Sequence, residues 1–404
     1  MRIDNVIHET YFDSYPQGPS LFVPYLVMSG LPEGEKLLAF GGYYSPENPN
    51  PDGSDYTFIH DCADDELIQG WDWTQELIYS AGWIDLPIPG KTYYFKGVVR
   101  TNKAVYYSNT VTINTDGLPG YTPGPQDRVL PVVFHVMPRK DGTYPHPYFF
   151  DEMLACANRL YRNVWPLPGL ADAGIRFVPA THTPDGTALS TPGIHYLDER
   201  YELDRDISYE ELRQWVGDNL WEMTEVINVW VSPFINDDIV SEGTRTAGFT
   251  FLPYFAPEEM LQGCNTAVPG CFSGIFLNQE IVGNGYCNSG IAVFAHEAGH
   301  YLGLDHVFEE DWCDDTPQYD RARYRTEQYI PGIDTYLRYP IDASAEPYTA
   351  LNVMDYDIVI YSGITPQQAE RVRYTLQHAC LVPGGKPLPG NMKSCAGPAP
   401  KVMY

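Results

Sequence analysis

The sequence predicts a multidomain protein in which an all-β sandwich precedes an α+β domain with a mixed, twisted sheet. Residues 1–115 alternate Tyr-, Phe-, Val- and Ile-rich segments with Gly, Pro and Asn clusters, which is typical of short strands joined by turns. Residues 128–382 instead show helix and strand periodicities in mixture. Between them, residues 116–127 are dense in Pro and Gly and predict a linker. Residues 383–404, also rich in Pro and Gly, predict a C-terminal tail, and a length of 404 residues accommodates this arrangement.

The composition excludes several classes of partner. Asp and Glu number 53 against 25 Lys and Arg, so the formal charge is −28. Nucleic acids carry the same sign of charge, and we therefore expect no nucleic-acid partner. Uninterrupted apolar runs such as Ile291–Ala295 are far shorter than the ~20 residues that span a bilayer. The sequence therefore predicts no transmembrane segment.

The cysteines favour an exported protein without deciding it. The chain has eight, an even number that is compatible with four disulfides, and Cys264 and Cys271 are close enough to close a short loop. Buried thiols are the alternative interpretation. The first residues lack the basic start and apolar stretch of a secretory leader, which fits either a cytosolic protein or a mature exported chain.

The clearest N-terminal element is a hairpin. Thr92–Arg100 and Ala104–Ile113 read as strands, and the turn between them contains Asn102, which tolerates the positive φ that such turns often need. We interpret this pair as the closing hairpin of a β-sandwich. The stretch loosely resembles a fibronectin type III or immunoglobulin-like module.

The second domain begins with an apolar strand at Val129–Val136 and a helix at Tyr148–Trp165. That helix carries apolar residues at helical spacing: Phe150, Met153, Leu154, Ala157, Leu160 and Tyr161. A further helix over Ser208–Leu220 has a capping box formed by Ser208 and Glu211. The remaining predicted strands are Gly174–Val178, Ile227–Val231, Ala247–Leu252 and Ser273–Leu277, and the remaining helices are Asn288–Leu302 and one that starts at Thr365, with Pro366 at its first position and Gln368 completing a capping box.

The segment with the most chemical information runs from His296 to His306. Residues four apart on a helix point in nearly the same direction, so His296 and His300 can reach one metal ion. Glu297 can reach a water on that ion without ligating the metal itself. Gly303 can end the helix in a left-handed conformation, after which His306 can return to the ion. Three nitrogen ligands and one open position predict a catalytic zinc site.

This segment resembles the extended zinc motif of the metzincin metallopeptidases, specifically the pappalysin/cytophagalysin family. Asp315-Thr316-Pro317 is similar to that family's Asp-Thr-Pro, and Asn352-Val353-Met354-Asp355-Tyr356 is similar to its Met-turn. Ile364–Arg371 resembles the start of its C-terminal helix. The resemblance covers roughly residues 128–382 and implies a metzincin-like fold with an active-site helix and a smaller, irregular C-terminal subdomain.

The resemblance also implies roles for particular residues. His296, His300 and His306 would bind zinc, and Glu297 would be the general base and acid. Met354 would form a hydrophobic floor below the imidazoles, and Tyr356 would approach the metal. The strand that would pair antiparallel with substrate comprises Ala247, Gly248, Phe249, Thr250, Phe251 and Leu252; main-chain pairing of this kind suits peptides of many sequences.

Some positions depart from the family pattern or allow a second interpretation. Asp305 offers a carboxylate that could compete with His306, although the eleven-residue spacing favours His306. The family commonly pairs a cysteine after the Met-turn with one near Cys313, but the next cysteine here is Cys380. Cys62 is a core or disulfide cysteine in the ordinary interpretation and a zinc-blocking thiolate in the alternative. An acidic cluster suits either a solvated loop or a structural Ca²⁺ site; its members are Glu309, Glu310, Asp311, Asp314 and Asp315.

The leading hypothesis is a secreted or cell-surface zinc endopeptidase that acts on proteins or peptides. We expect an extracellular, periplasmic or cell-surface location. One alternative is a surface binding or adhesion protein that retains a metzincin scaffold with little or no proteolytic activity. Another is a zinc amidase that acts on a non-peptide substrate.

Overall fold

The computed structural model describes most of the chain as two compact units, which are treated separately here. The first comprises Met1–Gly120 with Val282–Gly290, and the second comprises Tyr121–Ile281 with Ile291–Tyr404. The described residues are 1–10, 21–80, 90–115, 127–164, 167–204, 207–235, 246–251, 273–282, 287–309, 311–321, 329–330, 335–342, 344–349, 351–356, 362–379, 381–384 and 401–403. Within these residues, every helix is too short or too polar to cross a membrane.

The first unit contains two antiparallel sheets. One has the strand order β1-β2-β5 and the other β4-β3-β6-β7, and β1 contacts β7 of the other sheet. The elements are β1 (Arg2–Thr10), β2 (Leu21–Ser29), β3 (Leu37–Ser45), β4 (Tyr56–Asp61), the short helix α1 (Glu66–Gln69), β5 (Leu77–Ser80), β6 (Thr92–Thr101) and β7 (Val105–Asn114). The described part of this unit thus consists mainly of strands, whereas the β-sandwich and its likeness to a fibronectin module stay predictions.

The predicted hairpin is formed by β6 and β7, which pair antiparallel. Its turn differs from the expectation, because Asn102 is not among the residues with positive φ. Asn102 is instead held by Lys36: its backbone N–H donates to Lys36 O at 3.0 Å, and its Oδ1 accepts from Lys36 N at 2.8 Å. The Thr101 hydroxyl accepts from Ala104 N at 2.9 Å and closes the turn. These side-chain contacts stabilise a turn that needs no left-handed residue at Asn102.

The second unit is built around a mixed sheet with the order β10-β8-β12-β15-β14-β19, to which β9 adds beside β8. Strands β8, β12 and β15 are parallel, and β14 is antiparallel to β15. The strands are β8 (Arg128–Val136), β9 (Ile175–Pro179), β10 (Ile194–Tyr196), β11 (Leu203–Asp204), β12 (Ile227–Ser232), β13 (Phe234–Ile235), β14 (Gly248–Phe251), β15 (Ile275–Asn278), β16 (Tyr329–Ile330), β17 (Thr335–Arg338), β18 (Tyr348–Thr349) and β19 (Lys401–Met403). The helices are α2 (Pro147–Tyr161), α3 (Tyr209–Val216) followed by a 3₁₀ turn (Gly217–Asn219), α4 (Cys287–Tyr301) and α5 (Pro366–His378).

Helix α2 forms where the apolar spacing predicts it but ends earlier than expected. All the apolar residues named for it are buried. It stops at Tyr161 because Asn163, with φ of +44°, takes the left-handed conformation that terminates a helix. Trp165, the expected end, lies outside the described residues.

Both predicted capping boxes are confirmed. The Ser208 hydroxyl accepts from Glu211 N at 3.3 Å at the start of α3. At the start of α5, the Thr365 hydroxyl accepts from Gln368 N at 3.3 Å. Helix α3 is shorter than predicted, because Gly217 has φ of +46° and the chain continues as a 3₁₀ turn.

One further expectation is wrong. Residues 383–404 are not only a tail, because Lys401–Met403 forms β19 and pairs antiparallel with β14. Of the two interpretations of the cysteines, buried thiols hold for Cys62, Cys156 and Cys313. Burial raises the pKa of the Cys62 thiol to about 11 and that of Cys313 to about 12, which makes both unreactive at neutral pH. The side chains of the other cysteines, including the Cys264–Cys271 pair, lie outside the described residues.

Candidate metal centre

The candidate centre is built on the C-terminal part of helix α4. His296 and His300 lie one turn apart on this helix, and both are fully buried. Gly303 has φ of +88°, a conformation that glycine adopts without strain, and it ends the helix as predicted. Leu304 N donates to Gly299 O at 2.9 Å across this turn. The reversed chain brings His306 back to the other two imidazoles.

Hydrogen bonds determine which nitrogen of each imidazole faces the others. His296 Nδ1 lies 2.7 Å from Val353 O, and His300 Nδ1 lies 2.7 Å from Leu304 O. A carbonyl oxygen only accepts, so each Nδ1 donates a proton and each Nε2 presents a lone pair. Nε2 of His300 is 3.1 Å from Nε2 of His296 and 3.2 Å from Nε2 of His306. Such close approach of nitrogen lone pairs is repulsive unless they share a cation.

The donor set fits zinc. Tetrahedral zinc with nitrogen ligands at ~2.0–2.1 Å separates two ligand nitrogens by about 3.3 Å, close to the spacings seen here. Burial and the neighbouring imidazoles lower the pKa of His296 and of His300 well below the usual value, which keeps both in the neutral form that binds metal. Asp305 is outside this group, and its Oδ2 lies 3.9 Å from Arg371 Nη2. The geometry therefore favours His306 over Asp305.

Glu297 is fully buried beside strand β14. A Cβ placed on Gly248 would lie 3.0 Å from Glu297 Oε1, so the glycine leaves room for the carboxylate. Neither carboxylate oxygen accepts a hydrogen bond of standard geometry within the described part of the chain. Burial raises the pKa of Glu297 well above its usual value, and the nearby Thr250 hydroxyl offsets this only in part. A buried carboxylate that accepts no hydrogen bond of standard geometry is unusual and points to a ligand or proton that it serves.

The Met-turn contacts both segments that carry the imidazoles. Val353 O accepts from His296, and Met354 O accepts from Val307 N at 3.3 Å. Met354 is fully buried against helix α4, where a Cβ on Gly299 would meet its Sδ at 2.2 Å. The absence of a side chain at Gly299 therefore allows the turn to approach the helix. The role of Met354 as a floor below the imidazoles stays a prediction.

Tyr356 borders the imidazole group. Its ring centroid is 4.8 Å from that of His306 and 6.1 Å from that of His296. Phe308 stacks on His306 at 4.7 Å and contacts Tyr356 at 4.9 Å. The Arg321 guanidinium lies 4.1 Å from the Tyr356 ring centroid. Packing on two sides thus holds the tyrosine near the candidate centre.

Comparison with known families agrees with this geometry. Residues 211–377 match the Peptidase_M43 family model, described as pregnancy-associated plasma protein-A. This region belongs to the pappalysin family of metallopeptidases. The match includes every site residue named above, and it does not favour the alternative of a binding protein on an inactive scaffold.

Two solved structures resemble this chain at low identity. Mature mirolysin of Tannerella forsythia, solved with a cleaved peptide, is 19% identical, with a TM-score of 0.43 over 62% of this chain and 92% of that chain. A promirolysin mutant from the same organism is 18% identical, with a TM-score of 0.43 over 64% and 84% of the two chains. Among curated proteins, no match was found.

The strand predicted to bind substrate is present but shorter than expected. Strand β14 covers Gly248–Phe251, preceded by Ala247, whose carbonyl accepts from Asn278 N at 2.9 Å. Leu252 lies outside the described residues. Strand β14 is not the outermost strand of the sheet, because β19 pairs with its outer side.

A buried ion pair next to the Met-turn is not evident from the sequence. Arg338 Nε donates to Asp355 Oδ2 at 3.1 Å, and both side chains are fully buried. Tyr319 Oη and Tyr356 N donate to Asp355 Oδ1 at 2.9 and 2.7 Å. This network holds the residue between Met354 and Tyr356. The only sequence signal for it was the position of Asp355 inside the Met-turn motif, whereas Arg338 and Tyr319 gave none.

The described members of the acidic cluster have protein partners. Asp315 accepts from the Thr365 hydroxyl at 2.7 Å and from Gln367 N at 3.0 Å, and so caps helix α5. Asp311 accepts from the Thr316 hydroxyl at 2.6 Å, and its burial raises its pKa to about 6. These two carboxylates help to hold the fold together around helix α5 and Thr316, and a calcium site stays a prediction.

Proposed function

We propose that this metallopeptidase is a zinc-dependent endopeptidase whose metal is bound by His296, His300 and His306. The supporting observation is the convergence of their Nε2 atoms, with the Nδ1 atoms of His296 and His300 donating to carbonyl oxygens. Within the described chain, this is the one group of His, Cys, Asp or Glu side chains with such an arrangement. A binding or scaffold role would not require three lone pairs to meet at one buried point.

The residues around the centre have complementary tasks in peptide hydrolysis. Zinc, when bound, supplies a Lewis acid for the peptide carbonyl and lowers the pKa of water toward ~7. Glu297 takes the proton of the attacking water and returns it to the leaving amine. Its low-polarity surroundings raise its proton affinity and so assist the first of these transfers. Tyr356, held beside His306, donates a hydrogen bond to the developing oxyanion.

The substrates that suit this site are extended peptides. Strand β14 runs past Glu297, and Gly248 and Thr250 both approach its carboxylate. A peptide paired with the outer side of β14 would therefore present its backbone next to the general base. Main-chain pairing requires the substrate to be extended but depends little on the identity of its side chains. This fits an endopeptidase that acts on many protein sequences.

Replacement of Glu297 tests the proposal. We expect Glu297→Gln to keep stoichiometric zinc, because the imidazoles are intact, and to lose about 10²- to 10⁴-fold in kcat, because the proton acceptor is gone. Glu370→Gln is the matched control, since it removes the same charge from an exposed position on helix α5. Proteolysis would be followed by mass spectrometry of digests and zinc by elemental analysis. Cleavage at the control rate by Glu297→Gln would contradict the proposal.

Metal removal and mass spectrometry also separate the proposal from an amidase. A chelator should abolish peptide cleavage, and added zinc should restore it. Hydrolysis of small amides without any peptide cleavage would favour the amidase instead. The family resemblance also leads us to propose an extracellular, periplasmic or cell-surface location, which fractionation of the producing cells would test.

A further inference from the structure

We propose that the chain's own segment Lys401–Met403 occupies the peptide-binding side of strand β14 and thereby inhibits the enzyme until it is displaced. This inference rests on the proposed function, because it concerns regulation of the same site. The observation behind it is strand β19, which was not expected from the composition of residues 383–404.

The pairing has the orientation predicted for a substrate. Phe249 is opposite Met403, Thr250 opposite Val402 and Phe251 opposite Lys401, in antiparallel register. The segment therefore runs with its Met403 end toward Gly248. A peptide substrate was expected to pair with this strand in the same antiparallel sense.

The paired strand is the one that borders the general base. A Cβ on Gly248 would lie 3.0 Å from Glu297 Oε1, and the Thr250 hydroxyl is also a neighbour of this carboxylate. Neighbouring strands lie about 4.8 Å apart. The backbone of Lys401–Met403 is thus one strand spacing from the strand that touches the catalytic carboxylate.

Strand β19 and a peptide substrate cannot both pair with the outer side of β14. The inner side of β14 is paired with β15, so its only other main-chain edge is the one that β19 takes. A strand has one set of outward N–H and C=O groups, and these cannot serve two chains at once. Substrate must therefore displace β19 before it can pair, and we expect competitive inhibition by the chain's own segment.

The size of the effect follows from tethering. A segment joined to the same chain acts at an effective concentration on the order of millimolar. We expect its loss to raise kcat/KM for a short peptide by about tenfold, mainly through KM, because binding rather than the chemical step is relieved.

A proline substitution in β19 provides the test in the full-length, zinc-loaded protein. Val402→Pro removes a backbone donor and imposes a φ near −65°, which an antiparallel strand does not adopt. Ser394→Pro, in the same C-terminal stretch but outside β19, is the matched control. A second variant that ends at residue 397 removes the strand entirely. The measurements are kcat and KM on a fluorogenic peptide and hydrogen exchange of the Gly248–Phe251 amides.

The expected result is a fall in KM and faster exchange of these amides for Val402→Pro and for the shortened chain, with Ser394→Pro like wild type. A synthetic peptide of residues 399–404, labelled at its N-terminus, should bind Val402→Pro more tightly than the control and inhibit it competitively. Equal KM, equal exchange and equal peptide binding in Val402→Pro and Ser394→Pro would overturn the inference.

Failure of the proposed function would look different. If no variant cleaved any peptide, the endopeptidase assignment would be refuted. Occupation of β14 by the segment would then be decided by exchange and labelled-peptide binding, which require no hydrolysis. Tighter binding to Val402→Pro would support that occupation, and identical binding to both proline variants would overturn it.

Discussion

The buried imidazole of His135 makes the stability of the second unit depend on pH. Its Nε2 lies 3.0 Å from Asn228 Oδ1, and its Nδ1 lies 2.9 Å from His195 Nδ1. The Asn228 oxygen only accepts, so Nε2 carries the proton and Nδ1 accepts from His195. The ring also stacks on Trp230 and meets Trp221 edge-on. This environment accommodates the neutral ring of a histidine that packs near the end of strand β8.

Burial lowers the pKa of His135 from its ordinary value of 6.5 to about 3. Between these values the unfolded chain binds a proton that the folded chain does not, so protons favour unfolding. The stability that neutral His135 provides is complete above pH 6.5 and is lost as the pH falls toward 3. Each pH unit in this window costs about 1.36 kcal/mol. Lowering the pH from 7.5 to 4.5 should therefore cost about 2.7 kcal/mol through this residue.

Urea denaturation of wild type and His135→Gln at several pH values measures this contribution. Glutamine keeps a donor and an acceptor but does not titrate, so the dependence of stability on pH should become weaker. Tryptophan fluorescence is a suitable probe, since Trp221 and Trp230 contact the imidazole. The variant should be less stable at neutral pH because the fit is poorer, but it should lose about 2.7 kcal/mol less than wild type on acidification to pH 4.5. Parallel stability curves for the two proteins would refute the reasoning.

Three substitutions test other contacts. Gly299→Ala should destabilise the fold by about 1–3 kcal/mol, because its Cβ would meet Met354 Sδ at 2.2 Å, and it should also lower kcat by displacing the Met-turn; thermal unfolding and peptide cleavage measure the two effects, and wild-type values in both would exclude a close contact. Asp355→Ala should cost about 3–5 kcal/mol in the urea-unfolding free energy, since it leaves the Arg338 guanidinium buried without its counter-ion; a loss below 1 kcal/mol would mean that water reaches the pair. Thr365→Ala should cost about 1 kcal/mol by removing the N-cap of helix α5, whereas Thr365→Ser should retain most of that stability.

The parts of the fold that the sequence predicts well depend on interactions between residues that are close together in the chain. The capping boxes at Ser208 and Thr365 involve residues three apart, so sequence spacing alone identifies them. The same holds for His296 and His300, which share a helix face. It also holds for Gly303, because a glycine adopts a φ of +88° without strain. Helix lengths were less accurate, because Asn163 and Gly217 ended two helices through backbone conformations that periodicity does not reveal.

Contacts between distant residues could be predicted only in outline. The hydrogen bond between His296 and Val353 joins residues 57 positions apart, and resemblance implied only that the Met-turn lies near the imidazoles. The Arg338–Asp355 pair had no such guide. The sequence does not distinguish an arginine that is fully buried from one that is exposed to solvent. The difference depends on where its counter-ion lies in the folded chain.

The C-terminal segment shows why composition fails for strands added at an edge. Pro- and Gly-rich residues bury little apolar surface, so residues 383–404 were expected to form no regular structure. Strand β19 needs no apolar face of its own, however, because it pairs with the backbone of a strand that is already formed. Main-chain pairing is nearly independent of side chains, which is also why β14 suits peptides of many sequences. One property of β14 thus explains both the breadth expected of its substrates and the difficulty of predicting its intrachain partner.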